Sequence, residues 1–278
     1  LGKFLNLTSD FDSSQLIDVI PNFHNMSFRY SQYAASIQSA SKVRLKNAVK
    51  YTKLVADLKE GVTYLDNTHK SRTSKAAAQG LLAKVYLTQP SRNYTGARQL
   101  CEDIINSTGF ALESNFRDVF YNELNNEIIF AVQYLSGNPE ESQGFSSEFT
   151  SYSRQGRQDG LNIVNPNLAE DFNTYGGNRT AVSYAAFGDD ANLLVPEDAE
   201  VIKFLPDGSD ISDTNLPTYG GGPSNAGNDW IILRYSDVLL MHAEAIMQNG
   251  DTADDDAIDS YMEVRIRAGF DASADRPA

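Results

Sequence analysis

A chain of 278 residues with 41% hydrophobic content is long enough to bury one large core or two ordinary ones, and its mixture of apolar and charged residues is typical of a globular protein. Asp and Glu number 37 against 23 Lys and Arg, which gives a formal net charge of −14. Because this charge repels phosphate backbones and the basic residues are not clustered, the composition excludes nucleic acid and anionic membrane surfaces as partners.

The first helical pattern covers residues 43–66. Its apolar residues recur at intervals of three and four, which places them on one face of a helix. They are Val55, Leu58, Val62 and Leu65.

Two more helices are predicted at residues 74–89 and 94–107. Ser74 is suited to cap the first helix, and Pro90 ends it. The apolar residues of the second helix step by three, four and three: Tyr94, Ala97, Cys101 and Ile104. Since a short loop joins the two helices, they are predicted to form an antiparallel hairpin.

The hairpin pattern returns near the end of the chain, with helices predicted at residues 234–248 and 254–267. Ala257 occupies the position in the second hairpin that Ala97 occupies in the first, and a small residue there allows close helix approach. The pattern predicts repeated helix–turn–helix units of tetratricopeptide type, each burying a face that it cannot bury alone.

The segment between the hairpins, residues 110–229, differs in composition from the helical parts and is called the insert below. Residues 127–134 are β-branched and aromatic, which predicts a strand, while the rest is rich in Gly, Asn, Asp, Ser and Pro. The insert is therefore predicted to hold loops and a few short strands. Because structureless loops of this length are uncommon, the insert is predicted to be either a structurally separate segment or a functional surface. Trp230 opens the apolar run after it and is expected to anchor the core.

Motifs for catalysis and metal binding are not found in the sequence. The histidines His24, His69 and His242 lie in unrelated segments without metal-ligand spacing, and the acidic runs 207–213 and 251–259 lack the order of a calcium loop. No nucleophile elbow is present. Neither a cofactor nor a metal nor a catalytic residue is predicted, although a pair of carboxylates for glycoside hydrolysis is left open because such a pair need only be close in space.

Aromatic and planar polar side chains of the insert suggest a carbohydrate site. Sugars pack their C–H faces on rings and pair their hydroxyl groups with Arg, Asn and Asp. The alternative is that these rings fill small local cores. The predicted glycan-binding residues are Tyr152, Tyr175 and Tyr184 for stacking and Arg154, Arg157 and Asn178 for hydrogen bonds.

Five segments, in this order, resemble successive signatures of the SusD/RagB family: residues 71–87, 94–105, 126–133, 232–245 and 264–269. The run Leu-Arg-Tyr-Ser-Asp-Val-Leu-Leu-Met-His-Ala-Glu-Ala, followed by Val-Arg-Ile-Arg-Ala-Gly, is the most specific part. The resemblance implies a mainly α protein, a tetratricopeptide-like superhelix of helical hairpins with a long irregular insert. It also implies a glycan-binding protein that is not an enzyme.

What the resemblance implies about location and partners goes further. Family members are tethered by a lipidated N-terminal cysteine to the extracellular face of the outer membrane, where they pass oligosaccharide to a TonB-dependent, SusC-like transporter without cleaving it. The resemblance covers about residues 51–269, so the family's N-terminal part, with its lipid anchor, and its last helices are expected outside this chain.

The predicted organisation is a single SusD-like domain over residues 1–278, with helical repeats at 43–109, glycan-site loops in the insert at 110–229, and a helical repeat at 230–278. Two other functions stay open. One is a tetratricopeptide-type scaffold that binds a peptide or protein and no sugar, and the other is an unrecognised glycosidase.

Overall fold

The computed structural model describes residues 50–149, 162–186, 199–204, 226–248 and 254–276. The chain divides into two compact units, Leu1–Leu54 and Val55–Ala278. Only residues 50–54 of the first unit are described, so the fold below is that of the second unit. The single-domain organisation over the whole chain stays a prediction.

The described elements alternate between long scaffold helices and short elements of the insert. In chain order they are α1 (50–64), α2 (Lys75–Thr88), α3 (Tyr94–Ile105), α4 (Asp118–Tyr121), β1 (Ile128–Val132), α5 (Phe145–Glu148), α6 (Pro166–Tyr175), α7 (Thr180–Ser183), β2 (Ala185–Ala186), β3 (Ala199–Glu200), β4 (Trp230–Arg234), α8 (Tyr235–Met247) and α9 (Asp255–Arg267), with 3₁₀ turns at Gly177–Arg179 and Ile202–Phe204.

Local capping fixes where the scaffold helices begin. The Ser74 hydroxyl accepts the Ala77 N–H at 3.1 Å, and the Asn93 carboxamide accepts the Gly96 N–H at 3.0 Å. Each contact satisfies one of the N–H groups that a helix start leaves without an intrahelical partner. Helices α2, α3, α8 and α9 begin and end within two residues of the predicted bounds. Helix α1 covers residues 50–64 of the pattern at 43–66 and ends two residues before its predicted end, while residues 43–49 lie outside the described ranges.

The scaffold core lies where the two hairpins meet. Helix α3 packs against both α2 and α8, and α9 packs on α8, so the hairpins α2–α3 and α8–α9 share one apolar core. Ala97 and Cys101 are fully buried in α3, and Ala257 is buried at the corresponding place in α9. The mainly helical fold class is confirmed.

One antiparallel pair of strands, β1 within the insert and β4 directly after it, joins the insert to the scaffold. Val132 pairs with Trp230 and Ile128 pairs with Arg234, with a register irregularity around Phe130. Strand β1 matches the strand predicted at residues 127–134. A second pair, β2 and β3, lies inside the insert.

Helix α6 corrects the prediction that the insert holds only loops and short strands. The Asn165 carboxamide caps it by accepting the Asn167 N–H at 2.9 Å, and Pro166 fits the first helical turn, where no N–H is needed. Its buried Ala169 packs with Val164 and Tyr184 in a small satellite core. The helix was missed because polar and turn-favouring residues dominate its sequence.

Overpacking the hairpin interface should destabilise the scaffold. Replacing the fully buried Ala97 by Phe, or likewise Ala257, is expected to lower the free energy of unfolding by about 1–3 kcal/mol, because the extra ring has no space between packed helices. Chemical denaturation measures the change. Thr95→Phe, on the exposed side of α3, is the matched control and should leave the midpoint nearly unchanged. Unchanged stability in both Ala variants would contradict the hairpin repeat.

Candidate functional site

A cleft of about 290 Å³ opens where the insert joins β1 and β4, and it is called the insert cleft below. Its walls come from the turn after α4, the chain that follows β1, and the chain that leads into β4. The lining residues are Val119, Phe120, Tyr121, Asn122, Glu123, Ile128, Tyr134, Leu135, Ser136, Gly227, Asn228, Asp229 and Ile231. Rings, amides, carboxylates and a hydroxyl therefore surround one concave space.

One asparagine holds the wall made by the α4 turn. The Asn125 amide nitrogen lies 2.8 Å from the Asn122 carbonyl and 3.1 Å from the Val119 carbonyl, and the amide oxygen accepts the N–H groups of Glu127 and Ile128. These contacts tie the turn to the start of β1, so the cleft wall does not depend on its own sparse apolar packing.

Asp229 connects the opposite walls of the cleft. Its Oδ1 accepts the Tyr134 N–H at 3.1 Å. Burial raises the pKa of the Asp229 carboxyl, the hydrogen bond from Tyr134 opposes this, and the charge of Glu123 raises the pKa further. The carboxylate has about four acceptor sites and the Tyr134 N–H uses one, which leaves capacity for ligand hydroxyl groups.

An aromatic cluster of Phe145, Phe149, Phe204 and Trp230 adjoins the cleft. The Trp230 ring lies 5.0 Å from Phe145 in an edge-to-face contact and 5.6 Å from Phe204 in a stacked one. Tyr134, which lines the cleft, is 6.0 Å from Phe145 and so joins the cluster to the cleft. Such spacings are those of favourable ring pairs.

A buried polar network positions this cluster. The Gln143 amide nitrogen donates to the Asn228 Oδ1 at 2.6 Å, and the Ser146 hydroxyl lies 2.7 Å from the same oxygen. The backbone of Gln143 also pairs with Ala226 in both directions. Ser146 and Gln143 are almost fully buried, and a satisfied buried network rigidifies the groups it joins. The α5 turn and the chain entering β4 are therefore held in one arrangement.

The structure describes three of the six predicted glycan-binding residues. Tyr152, Arg154 and Arg157 lie outside the described residues. Tyr175, at the end of α6, is 66% exposed and can offer a ring face. Asn178 is exposed, and its backbone N–H donates to the Ala268 carbonyl at 2.8 Å, so it lies against the turn that follows α9.

Tyr184 corrects the sequence prediction. The residue is 8% exposed in the satellite core, its hydroxyl donates to the Asn173 Oδ1 at 2.6 Å, and its ring lies 5.7 Å from Phe172. A ring buried in this way has no free face for a sugar, so Tyr184 supports α6 and does not serve as a stacking surface. This is the alternative in which insert rings fill local cores.

Trp230 is more exposed than its sequence context predicts. It was expected to anchor the core, yet it is 40% exposed at the start of β4. The residue belongs to the aromatic cluster at the edge of the insert, because β4 leaves the scaffold core at this end.

Sequence reasoning missed most of the insert cleft. Asn122, Glu123 and Asp229 come from segments that are distant in the chain, and no spacing rule joins them. The one available signal was the end of the predicted strand near Tyr134, since polar and aromatic residues that follow strand ends often line clefts.

A buried Ser–His–Glu arrangement lies in the scaffold, away from the insert cleft. His242 Nδ1 is 2.8 Å from the Ser260 hydroxyl, and Nε2 is 3.6 Å from the Glu102 carboxylate. Burial lowers the pKa of His242, opposed by Glu102. Ser260 and His242 are each 6% exposed, so a substrate does not reach them, and the group joins α3, α8 and α9 as structure.

Two further observations concern the described residues alone. Burial raises the pKa of the Cys101 thiol to about 12, so it packs as a small apolar group. Within the described ranges, three or more His, Cys, Asp or Glu side chains do not come together as a metal site, and no helix there has the length and apolar character to cross a membrane.

The fold is similar to that of several solved proteins. A surface glycan-binding protein A from Bacteroides thetaiotaomicron, solved in complex with laminarihexaose, superposes with a TM-score of 0.62 at 20% identity, over 81% of this chain and 56% of that one. A SusD superfamily protein from Parabacteroides distasonis superposes with a TM-score of 0.58 at 24% identity, over 79% of this chain and 51% of that one.

The sequence comparisons agree with the fold. The SusD family model matches residues 211–278. A SusD-like protein from Bacteroides ovatus is 28% identical over 243 residues, which are 77% of this chain and 43% of that protein. These matches confirm the resemblance to the SusD/RagB family that the motifs indicate. The chain spans about half the length of the relatives it matches.

Proposed function

We propose that this chain is the glycan-binding part of a surface protein that captures oligo- or polysaccharide and passes it, uncleaved, to a TonB-dependent outer-membrane transporter. The observation that carries the glycan-binding part is the insert cleft, where Phe120, Tyr121 and Tyr134 stand beside amide and carboxylate groups. The structurally similar surface glycan-binding protein A, solved with laminarihexaose, supports the same ligand class.

The physical argument rests on what a sugar presents. A pyranose ring has C–H faces that pack on aromatic rings and an edge of hydroxyl groups that both donate and accept hydrogen bonds. Asn122 can do both, Asn228 keeps one amide hydrogen to donate because its oxygen accepts from Gln143 and Ser146, and Asp229 accepts. The binding groups stand on loops held by a rigid helical scaffold, which is where recognition residues concentrate.

The proposed location is the extracellular face of the outer membrane, with a lipid anchor outside this chain and a SusC-like transporter as partner. The resemblance to the SusD family supports both. They are tested on the full-length protein in its native membrane, where the transporter should co-purify with it and radiolabelled lipid should be incorporated. Recovery without the transporter and without lipid would contradict this part of the proposal.

Removing a cleft ring should weaken glycan binding without unfolding the protein. Tyr134→Ala is expected to weaken binding by about 1–3 kcal/mol, by analogy with base stacking on aromatic side chains. Tyr64→Ala, a 79% exposed ring on α1, is the matched control and should bind as the parent does. Affinity electrophoresis against laminarin, xyloglucan and galactomannan measures binding, and thermal melting monitors folding.

Tyr175→Ala in the same assay separates the two site hypotheses. Loss of affinity in this variant alone would favour the loop residues predicted from the sequence, whereas loss in Tyr134→Ala alone favours the insert cleft. Release of reducing ends during the incubation would contradict a non-enzymatic role. Binding of a peptide and of no sugar would favour the tetratricopeptide-type scaffold.

A further inference from the structure

Among the described residues, the lining of the insert cleft carries acidic side chains, Glu123 and Asp229, and no Lys, Arg or His. Tyr134 fixes the Asp229 carboxylate through its N–H, so this charge is held at the cleft wall. We infer that the insert cleft selects uncharged glycans and rejects those that carry uronate or sulfate groups. The inference rests on the proposed function and adds the substrate class.

Electrostatics of the two carboxylates supply the discrimination. The half-buried Asp229 carboxylate is screened less than a charge in open water, so a glycan carboxylate or sulfate beside it meets a like charge at short range; the exposed Glu123 adds a second charge that water screens more. Like charges at short range lower the affinity for an anionic glycan more than they change the affinity for a neutral glycan. The formal charge of −14 over the whole chain adds long-range repulsion of polyanions.

Two cations lie behind the rings of the cleft wall and outside the lining itself. The Lys203 ammonium lies 5.6 Å from the Phe120 ring centroid and 5.2 Å from that of Phe204, and the Arg117 guanidinium lies 5.0 Å from the Tyr121 ring. Both cations contact rings and neither belongs to the lining. Burial lowers the pKa of Lys203, and the charge of Arg234 lowers it further.

Neutral glycans gain from the same groups. The Asp229 carboxylate and the Glu123 carboxylate accept hydroxyl protons, and a charged acceptor makes a stronger hydrogen bond than a neutral one. The Asn122 amide and the remaining N–H of the Asn228 amide can donate, so hydroxyl oxygens also find partners. The arrangement suits a ligand with many hydroxyl groups and no charge of its own.

The test compares neutral and anionic polysaccharides in affinity gels. The neutral probes are laminarin, xyloglucan and galactomannan, and the anionic probes are alginate, polygalacturonate and chondroitin sulfate. The parent protein should bind at least one neutral probe about tenfold or more tighter than every anionic probe at low salt. In the variant Glu123→Gln/Asp229→Asn the ratio of neutral-probe to anionic-probe affinity should fall at least about threefold. The repulsion is then gone, while the oxygen of Asn at position 229 still accepts the Tyr134 N–H.

The matched control carries the same two charge changes elsewhere. Glu170→Gln/Asp171→Asn lies on exposed positions of α6 and should leave the ratio as in the parent. If the ratio of neutral-probe to anionic-probe affinity falls equally in both variants, or does not fall in the cleft variant, these carboxylates do not set selectivity. An anionic probe bound as tightly as the neutral ones would overturn the inference while the proposed function stands. Failure to bind all six probes would contradict both.

Discussion

Neutralising Glu127 should cost the protein about 3–5 kcal/mol in the free energy of unfolding, because it leaves a buried arginine without its counter-charge. Glu127 is fully buried, its Oε2 accepts from Arg267 at 2.6 Å, and its Oε1 lies 3.7 Å from the Arg234 guanidinium. The Arg267 side chain is 5% exposed. Chemical denaturation of Glu127→Gln, which keeps the size of the side chain, measures the loss.

An exposed ion pair of similar length is the control. Asp259 accepts from Arg276 at 2.7 Å, but the Asp259 side chain is 62% exposed. Asp259→Asn should shift the denaturation midpoint little, because water replaces the contact. A double variant, Glu127→Gln/Arg267→Met, should recover part of the loss, since both charges are then removed. Equal shifts for Glu127→Gln and Asp259→Asn would contradict the role of burial.

Adding one methyl group at Gly177 should also destabilise the protein strongly. Gly177 has φ of +57°, and a Cβ there would lie 2.1 Å from the Ala268 carbonyl oxygen. A left-handed conformation costs a non-glycine residue about 1–2 kcal/mol, and the backbone at Ala268 must also move. Gly177→Ala is therefore expected to lower the free energy of unfolding by at least about 2 kcal/mol. The next residue, Asn178, donates its N–H to the same carbonyl, so that hydrogen bond is lost or lengthened.

Gly137 provides the control for this substitution. Its φ is +84°, and a Cβ built on it has nothing within 4 Å. Gly137→Ala therefore carries the conformational cost without the collision, and the difference between the two variants measures the contact with Ala268. If both variants lose the same stability, the insert does not press on the turn after α9.

Much of the scaffold was predictable from sequence because its signals are local. Ser74 and Asn93 cap helices through side chains three residues from their partners, and apolar periodicity marks the buried faces. The strand near residues 127–134 was likewise visible as a β-branched run. Local rules reach this far because each element is defined by residues within a few turns of one another.

The candidate site and the buried charges depend on long-range contacts. Glu127 and Arg267 are 140 residues apart, and the Tyr134 N–H meets Asp229 across 95 residues. No periodicity connects such pairs. Exposure is equally non-local: Tyr184 and Trp230 have similar amphipathic rings, yet packing buries the first and leaves the second half exposed. Composition of the insert indicated a sugar-binding surface but not which rings face solvent.

The pairing of Val132 with Trp230 has a consequence for how this architecture can diversify. The Cα atoms of cross-strand partners lie about 4.5–5.5 Å apart, so residues 133–229 form the connection of one β-hairpin, whose two ends are neighbours in the sheet. Lengthening such a loop costs little, roughly 0.6 kcal/mol for each doubling. A segment of different length or composition can be grafted between these two positions, provided that it keeps a glycine against Ala268. Specificity can then be exchanged as a cassette while the helical hairpins continue to fold as before.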